Sequence, residues 1–456
     1  MISPLRQRLA LAASVAGAAI VALDGGVLLV AQPSLQRDLG ASVAEVQWTS
    51  TGYLVAVAAL LVLSGRLGDR YGHPRMLRAG VLGFGAASAG IAVAGSVGWV
   101  IVLRVAQGVF GALLQPATLA LLRLSYPEDR LGTPIAVRTS ALAVAAGAGP
   151  VLGGLVVAHL GWRAVFWINV PVALAIAALT LAVRVPGPER KDREGQFGVA
   201  GAALLATALA VLVHALAGVP ERGWTGAGTM LGLLAAAGAL ALLIAHERRA
   251  EHPNVPRAVA RSVPVKASVA ILLVTTAGLF GTLFRATFHL QDALRLDPLA
   301  TGLRVLPLTA LMVLGAPVAG LALRRYGPRP TALSGTLLVV LGILLLSRSG
   351  PGAPWAAMAA AFAVLGAGFA TVMVTATASV VGDAPPGYAG VVGGLKQTAM
   401  NVGPTLGIAV ATGTAGATDT TMAGTLPVLA ACAALGLLPA SLLPRRPVPA
   451  RRARPA

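Results

Sequence analysis

Fourteen separate stretches of this chain run apolar for about 20 residues each, the length a helix needs to cross the hydrocarbon core of a bilayer. Backbone amides find no water there, so a spanning segment must satisfy its hydrogen bonds within itself and folds as a helix. The stretches are 10–32, 46–64, 77–97, 99–122, 136–159, 164–184, 198–217, 226–246, 266–290, 299–322, 330–347, 355–380, 388–413 and 423–443. The loops between them are short and leave almost no room for a soluble domain. Composition agrees: 56% of residues are hydrophobic, 11% are charged and the mean hydropathy is +0.80, which excludes an ordinary soluble enzyme. The 55 glycines and only 4% aromatics suit helices that approach closely through small residues. The basic start, Met1 to Arg8, runs into the first apolar stretch with no convincing cleavage site before Asp24, and is read as a retained membrane helix.

The distribution of charge tests the count. Of the 35 basic residues, 26 fall on one side of the expected membrane, in clusters such as Arg66, Arg70, Arg75 and Arg78 or Arg324, Arg325 and Arg329. By the positive-inside rule that side is cytoplasmic, so both termini are expected there in a multi-pass protein of the cell membrane. The net charge of +19 is then a topology signal with anionic lipid headgroups as its partner. Short clusters between apolar runs are no nucleic-acid stripe. The single Cys432 excludes an intramolecular disulfide, and neither a zinc site nor any other metal site is expected.

The chain repeats itself. Gly65, Arg70, Tyr71 and Gly72 recur as Gly320, Arg325, Tyr326 and Gly327, and Gly149-Pro150-x-x-Gly153 recurs as Gly403-Pro404-x-x-Gly407, at offsets of 255 and 254. Stretch 2 therefore maps onto 10 and stretch 5 onto 13, with 7 and 8 as an insertion. The expected architecture is an all-α integral membrane protein of two parallel six-helix bundles and two linker helices, divided as 1–190, 191–262 and 263–456. Such repeats serve alternating access to a midplane site.

An ionisable group inside a span costs roughly 3 kcal/mol or more on insertion scales, so it is a functional candidate. Asp24 is the one deep acid among sixteen. At 1.5 Å per residue it lies about 21 Å from the cytoplasmic start of its stretch, and Arg104 reaches a similar depth, so the two can meet. Drying a carboxylate favours its protonated form and a nearby guanidinium favours the ionised one, so opening and closing a cavity would switch its proton. The alternative is a static pair that fastens two helices. Lys396, with Gln397 and Asn401, lies about 12 Å from the cytoplasmic side, placed either to meet an anionic or carbonyl-bearing substrate or to snorkel. Phe280, Phe284 and Phe288 recur at spacing four as an aromatic wall or as packing. Gln107 and Gln115 are further cavity candidates. Arg285, near the outer end of its stretch, is read as snorkelling. The loop from Gly65 through Asp69, Arg70, Gly72 and Arg75 is a basic turn or a latch, and its repeat has Arg324 in place of Asp69. Gly147, Gly149, Pro150, Gly153 and Gly154 make a thin, kink-prone face for rocking or tight packing.

These residues resemble the major facilitator superfamily, and within it the fourteen-helix drug:proton antiporters. Gly65-x-Leu67-x-Asp69-Arg70-x-Gly72 is similar to the loop signature between helices 2 and 3, although His73 and Pro74 replace its usual second basic cluster. Leu103-Arg104 with Gln107-Gly108 is similar to the helix 4 motif that carries the functional Arg, and Gly147 to Gly154 to the helix 5 motif of antiporters. Leu23-Asp24 through Pro33 resembles the helix 1 motif, except that Gly26 and Leu29 stand where Thr and Asn are usual. Gly161-Trp162-Arg163 with Phe166 to Pro171, and Glu247-Arg248-Arg249 with His252-Pro253, resemble further segments of the same group. The resemblance spans nearly the whole chain. It implies export of antibiotics or other hydrophobic compounds by a monomer that exchanges them for protons, with no cofactor and with Asp24 as the coupling acid. Members that export cations tend to carry further membrane acids; none lies in the deep spans here, so neutral or weakly anionic substrates are implied.

Proton-coupled uptake and narrow-specificity metabolite export in the same fold are the alternatives, and the helix 5 glycines favour export. No nucleophile stands beside a base, and no phosphate-binding loop is present, so neither an enzyme nor an ATP-driven pump is expected.

Overall fold

A computed structural model of the chain describes residues 4–127, 132–182, 199–249, 255, 257–350, 353–382, 389–414 and 422–445. Among them the regular elements are all helices: α1 (Pro4–Leu39), α2 (Val43–Tyr71), α3 (His73–Ala92), α4 (Val97–Ser125), α5 (Gly132–Leu160), α6 (Trp162–Ala182), α7 (Val199–Ala217), α8 (Val219–Arg222), α9 (Ala227–Arg249), α10 (Arg257–Arg261), α11 (Val263–Phe288), α12 (Pro298–Tyr326), α13 (Pro328–Ser347), α14 (Trp355–Gly382), α15 (Ala389–Thr414), α16 (Thr425–Ala434) and α17 (Leu437–Ser441). Every apolar stretch coincides with a helix. Among the described residues, eight helices are long and apolar enough to cross a membrane, and Val144–Leu160, Ala203–Leu216 and Thr425–Ser441 are shorter apolar segments. The boundary expected near residue 190 lies outside the described residues.

Three stretches differ from expectation. The third ends at Ala92, because Gly95 and Ser96 break the run before α4 starts. The ninth runs past residue 290 through a π-helical turn, His289–Ala293. The last splits at Leu435–Gly436 into α16 and α17, where Pro439 also removes a backbone donor.

Local chemistry sets the turns. Ser42 and Glu45 form a reciprocal capping box at the start of α2, and the Asp297 carboxylate accepts from Ala300 N at 2.7 Å to start α12. Gly72 (φ 96°) and Gly327 (φ 85°) join α2 to α3 and α12 to α13. Both adopt a positive φ that side chains disfavour, which explains why the repeated motif keeps glycine at both places. In both copies an Arg lies over the ring of the following Tyr: Arg70 on Tyr71 at 5.6 Å and Arg325 on Tyr326 at 5.4 Å. The Asp69 side chain lies outside the described residues.

The repeat is also a repeat of packing. Gly149 and Gly153 of α5 lie against the α1 backbone at Gly26 and Val27, and Gly403 and Gly407 of α15 lie against α11 at Leu273 and Ala277 in the same way. Between the halves α5 packs on α12 and α15 on α2, which are equivalent pairs under the same offset. α7 packs on α9 and rests against α2 and α15.

The end where α1 begins is termed near, and the other end far. At the far end one apolar core joins both halves, with Leu28, Val157 and Phe166 alongside Phe284, Val305 and Ile408. Towards the near end there are separate clusters, Leu77, Phe84 and Leu121 in the first half and Ile271, Ala332 and Val372 in the second. The halves thus meet at the far end. Leucines such as Leu231 and Leu234 on α9 and Leu314 on α12 point outward, as a lipid-facing surface requires.

Candidate functional site

Asp24 and Arg104 meet as the depth count expected. Arg104 Nη1 donates to Asp24 Oδ2 at 2.6 Å, and both side chains are almost fully buried. The guanidinium is satisfied from several directions: its Nε donates to the Thr49 carbonyl at 2.8 Å, its Nη1 also to Gln107 Oε1, and its face lies 4.4 Å from the Tyr53 ring centroid. The remaining carboxylate oxygen, Asp24 Oδ1, accepts from Asn169 Nδ2 at 3.2 Å and from Gln107 Nε2 at 3.4 Å. Ser88 Oγ accepts from Gln107 at 2.7 Å and from Asn169 at 3.4 Å, which closes the network. Five helices, α1, α2, α3, α4 and α6, supply these groups, all from the first half. A buried ion pair is costly unless its remaining hydrogen-bonding capacity is met, and here neutral amides and a backbone carbonyl meet it, with Ser88 holding the amides.

Gln107 therefore belongs to the ion-pair network. Gln115 is half-buried on the near side of α4, and its carbonyl accepts from Thr118 Oγ1 at 2.9 Å. Phe284 and Phe288 pack on each other at 5.0 Å within the core, and only Phe280 keeps partial exposure at its edge. In this conformation the aromatic stripe is packing, because α11 lies at the seam between the halves. Lys396 and Gln397 are half-buried on α15, while Asn401 is buried and donates to the Gln397 carbonyl at 3.0 Å. Arg285 corrects the snorkelling expectation: it is 7% exposed, and the chain continues helically beyond it through Phe288 into the π-helical turn, whose His289, Leu290 and Gln291 are buried.

The glycines of the fifth stretch divide by face. Gly149 and Gly153 close against α1 within the first half. Gly147 and Gly154 face α12 of the second half, and Gly302 of α12 sits against the Pro150 carbonyl in return. Gln291 reinforces this seam, its Nε2 donating to the Val30 carbonyl at 2.9 Å. Of the loop motif, Arg75 Nη1 donates to the Tyr71 carbonyl at 3.3 Å and Arg70 is exposed. Gly65 is open to its surroundings.

Ser88, Asn169, Thr49 and Tyr53 were not singled out as site residues from the sequence. A signal existed, since Ser88 and Asn169 are polar residues inside apolar runs, as Gln107 and Gln115 are. Arg138 is half-buried on α5, donating from Nη2 to Thr118 Oγ1 at 2.9 Å.

The profile of the Major Facilitator Superfamily matches residues 15–408 and 312–456. The chain belongs to the major facilitator superfamily. Among its relatives, a tetracenomycin C resistance and export protein of Streptomyces glaucescens is 41% identical over 395 residues, covering 86% of this chain and 73% of that protein. A probable actinorhodin transporter of Streptomyces coelicolor is 32% identical, covering 89% and 72%. A puromycin resistance protein of Streptomyces alboniger is 32% identical, covering 86% and 78%. Solved structures share the fold: a peptide transporter superposes with a TM-score of 0.68 at 16% identity over 94% of this chain and 93% of that one. A nucleoside transporter gives 0.65 at 13% over 95% and 98%. In this superfamily member the helix 1 motif departs at Gly26 for a visible reason. A Cβ there would lie 3.1 Å from Gly149 Cα, a tight approach to backbone, so a larger side chain would require the α1–α5 crossing to shift.

Proposed function

We propose that this superfamily member exports hydrophobic small molecules, antibiotics among them, in exchange for protons by alternating access. The observation that carries the reading is the Asp24–Arg104 pair, a buried acid held in one half of a two-part helical protein. Protonation of Asp24 removes one charge of the pair, frees Arg104 to lean towards Thr49 and Gln107, and so loosens α1 from α4. α1 also packs on α5, whose glycines face the other half, so a change at Asp24 reaches the seam through directly touching helices. The names of the relatives, with their resistance and export activities, support drug-like substrates and the outward direction.

With the near end cytoplasmic, as its basic clusters favour, a chain joined at the far end faces inward. Rocking about the α5–α12 and α2–α15 contacts then opens the far end. Lys396 and Arg138 stand on opposite halves towards the near end, neither paired with a carboxylate among the described residues, which supports neutral or weakly anionic substrates. The protein works as a monomer with fourteen spans and without a cofactor, energised by the proton gradient.

The test is growth inhibition of an efflux-deficient bacterial host across a varied antibiotic panel, with wild type or Asp24→Asn at matched membrane levels. Protection that wild type confers and Asp24→Asn loses supports the proposal. Equal protection by both removes Asp24 from coupling, and protection against nothing by well-expressed wild type removes drug export.

A further inference from the structure

We propose that Asn169, reaching from α6, is a positioning residue that sets the pH at which Asp24 takes up its proton; this rests on Asp24 being the coupling acid. The geometry points to it. Arg104 engages only Oδ2 of the carboxylate, and the other oxygen is left to amide donors. Asn169 supplies the shorter of these bonds, at 3.2 Å against 3.4 Å from Gln107. Its amide nitrogen also reaches Ser88 Oγ at 3.4 Å, so the side chain is held between α1 and α3 and is 8% exposed. α6 packs mainly on α1, α3 and α5. Its polar side chain at this depth is therefore explained by Asp24 and Ser88.

An N–H bond to a carboxylate oxygen is stronger when that oxygen is charged, so each such donor favours the ionised acid. The charged group bonded to Asp24 is Arg104 of α4, and beneath its guanidinium lies Tyr53 of α2. α3 and α6 present the neutral Ser88 and Asn169, α5 presents glycine backbone near Gly26, and α11 with its π-helical turn, which approaches through Gln291 at Val30, also carries the buried Arg285 and His289. Removing Asn169 leaves Arg104 in place and subtracts one donor from the ionised state, so protonation moves to higher pH. The expected shift is about one pH unit, a tenfold change in proton affinity.

The experiment follows the protonated-carboxyl infrared band of the full-length protein in lipid vesicles through a pH titration, which needs no transport substrate. The band missing from Asp24→Asn identifies Asp24. Asn169→Ala is expected to move its midpoint up by about one unit. Asn169→Ser, whose hydroxyl restores a donor, is expected to return part of the way. A loss that was only structural would lower yield or melting temperature and leave the midpoint unmoved. If folded Asn169→Ala titrates as wild type does, the positioning role is overturned while Asp24 remains the coupling acid. If no band is assignable to Asp24 at any pH, the coupling reading itself falls.

Discussion

The contact of α5 with α12 is the place where a single methyl group tests the rocking of the two halves. A Cβ added at Gly154 would overlap the Pro298 carbonyl oxygen and lie 3.0 Å from Leu299 Cα. Those are backbone atoms, and the backbone there is pinned, because Asp297 caps α12 through Ala300 N at 2.7 Å and its carbonyl accepts from Thr301 Oγ1 at 3.0 Å. The strain of Gly154→Ala therefore falls on the seam between the halves. Overpacking of this kind costs about 1–3 kcal/mol. Because the clash exists only while the far end is closed, that cost converts to roughly a 5- to 150-fold shift towards the far-open state. The assay is a spin-label distance between Leu160→Cys and Arg348→Cys, both exposed, at the far ends of α5 and α13, in a Cys432→Ser background. Gly154→Ala is expected to transfer population to a longer distance. Gly147→Ala is the control, since its Cβ meets Val313 Cγ2 at 3.4 Å and the Thr309 carbonyl at 3.6 Å, which is ordinary contact on the same face against the same helix. A folded Gly154→Ala protein with the wild-type distribution, or an equal shift from Gly147→Ala, would refute the steric argument.

Other perturbations have equally definite outcomes. Arg104→Ala strands the buried Asp24 charge, so a drop of about 3–5 kcal/mol in stability at neutral pH is expected, read as a lowered melting temperature in detergent. Arg104→Lys keeps the charge but cannot serve Thr49, Asp24 and Gln107 from one planar fork, so it is expected to lose proton-linked transport while folding, a result checked in vesicles with an imposed pH gradient. Gln291→Leu removes the donor to the Val30 carbonyl across the seam; at about 1 kcal/mol for such a bond it shifts the same spin-label pair towards the far-open distance by roughly fivefold. Glu45, exposed at the start of α2, has its carboxyl held below the usual range by the Ser42 backbone N–H and hydroxyl. The folded value is the lower one, so the stabilisation is present above the unfolded value and is lost as pH falls through the folded one. Glu45→Gln is therefore expected to lower the melting temperature slightly at neutral pH and to match wild type in acid, a difference kept under about 1 kcal/mol by solvent screening.

Much of the architecture could be read along the chain. Hydropathy and length located the helices, and the recurrence of Gly72 and Gly327 at matching turns followed from a conformation that only glycine adopts freely. The lone deep acid and the intramembrane arginine were found by their cost, and counting residues at a fixed rise brought them to one depth. The polar network around them was harder to read, because Ser88 and Asn169 carry no charge and nothing in their own segments says which way they point.

That difference has a single physical cause. Position along the membrane normal is a local property, set by the rise of a helix and the thickness of the hydrocarbon, so the sequence by itself determined the helical segments, their repeat and the depth of Asp24 and Arg104. Rotation about each helix axis is different. A membrane helix is apolar towards lipid and apolar towards its neighbours, so no amphipathic pattern marks the face that turns inward. Only the tertiary structure decided that Gly149 and Gly153 face α1 while Gly147 and Gly154 face α12. It likewise decided that Phe284 and Arg285 are enclosed, and that Asn169 of α6 reaches Asp24.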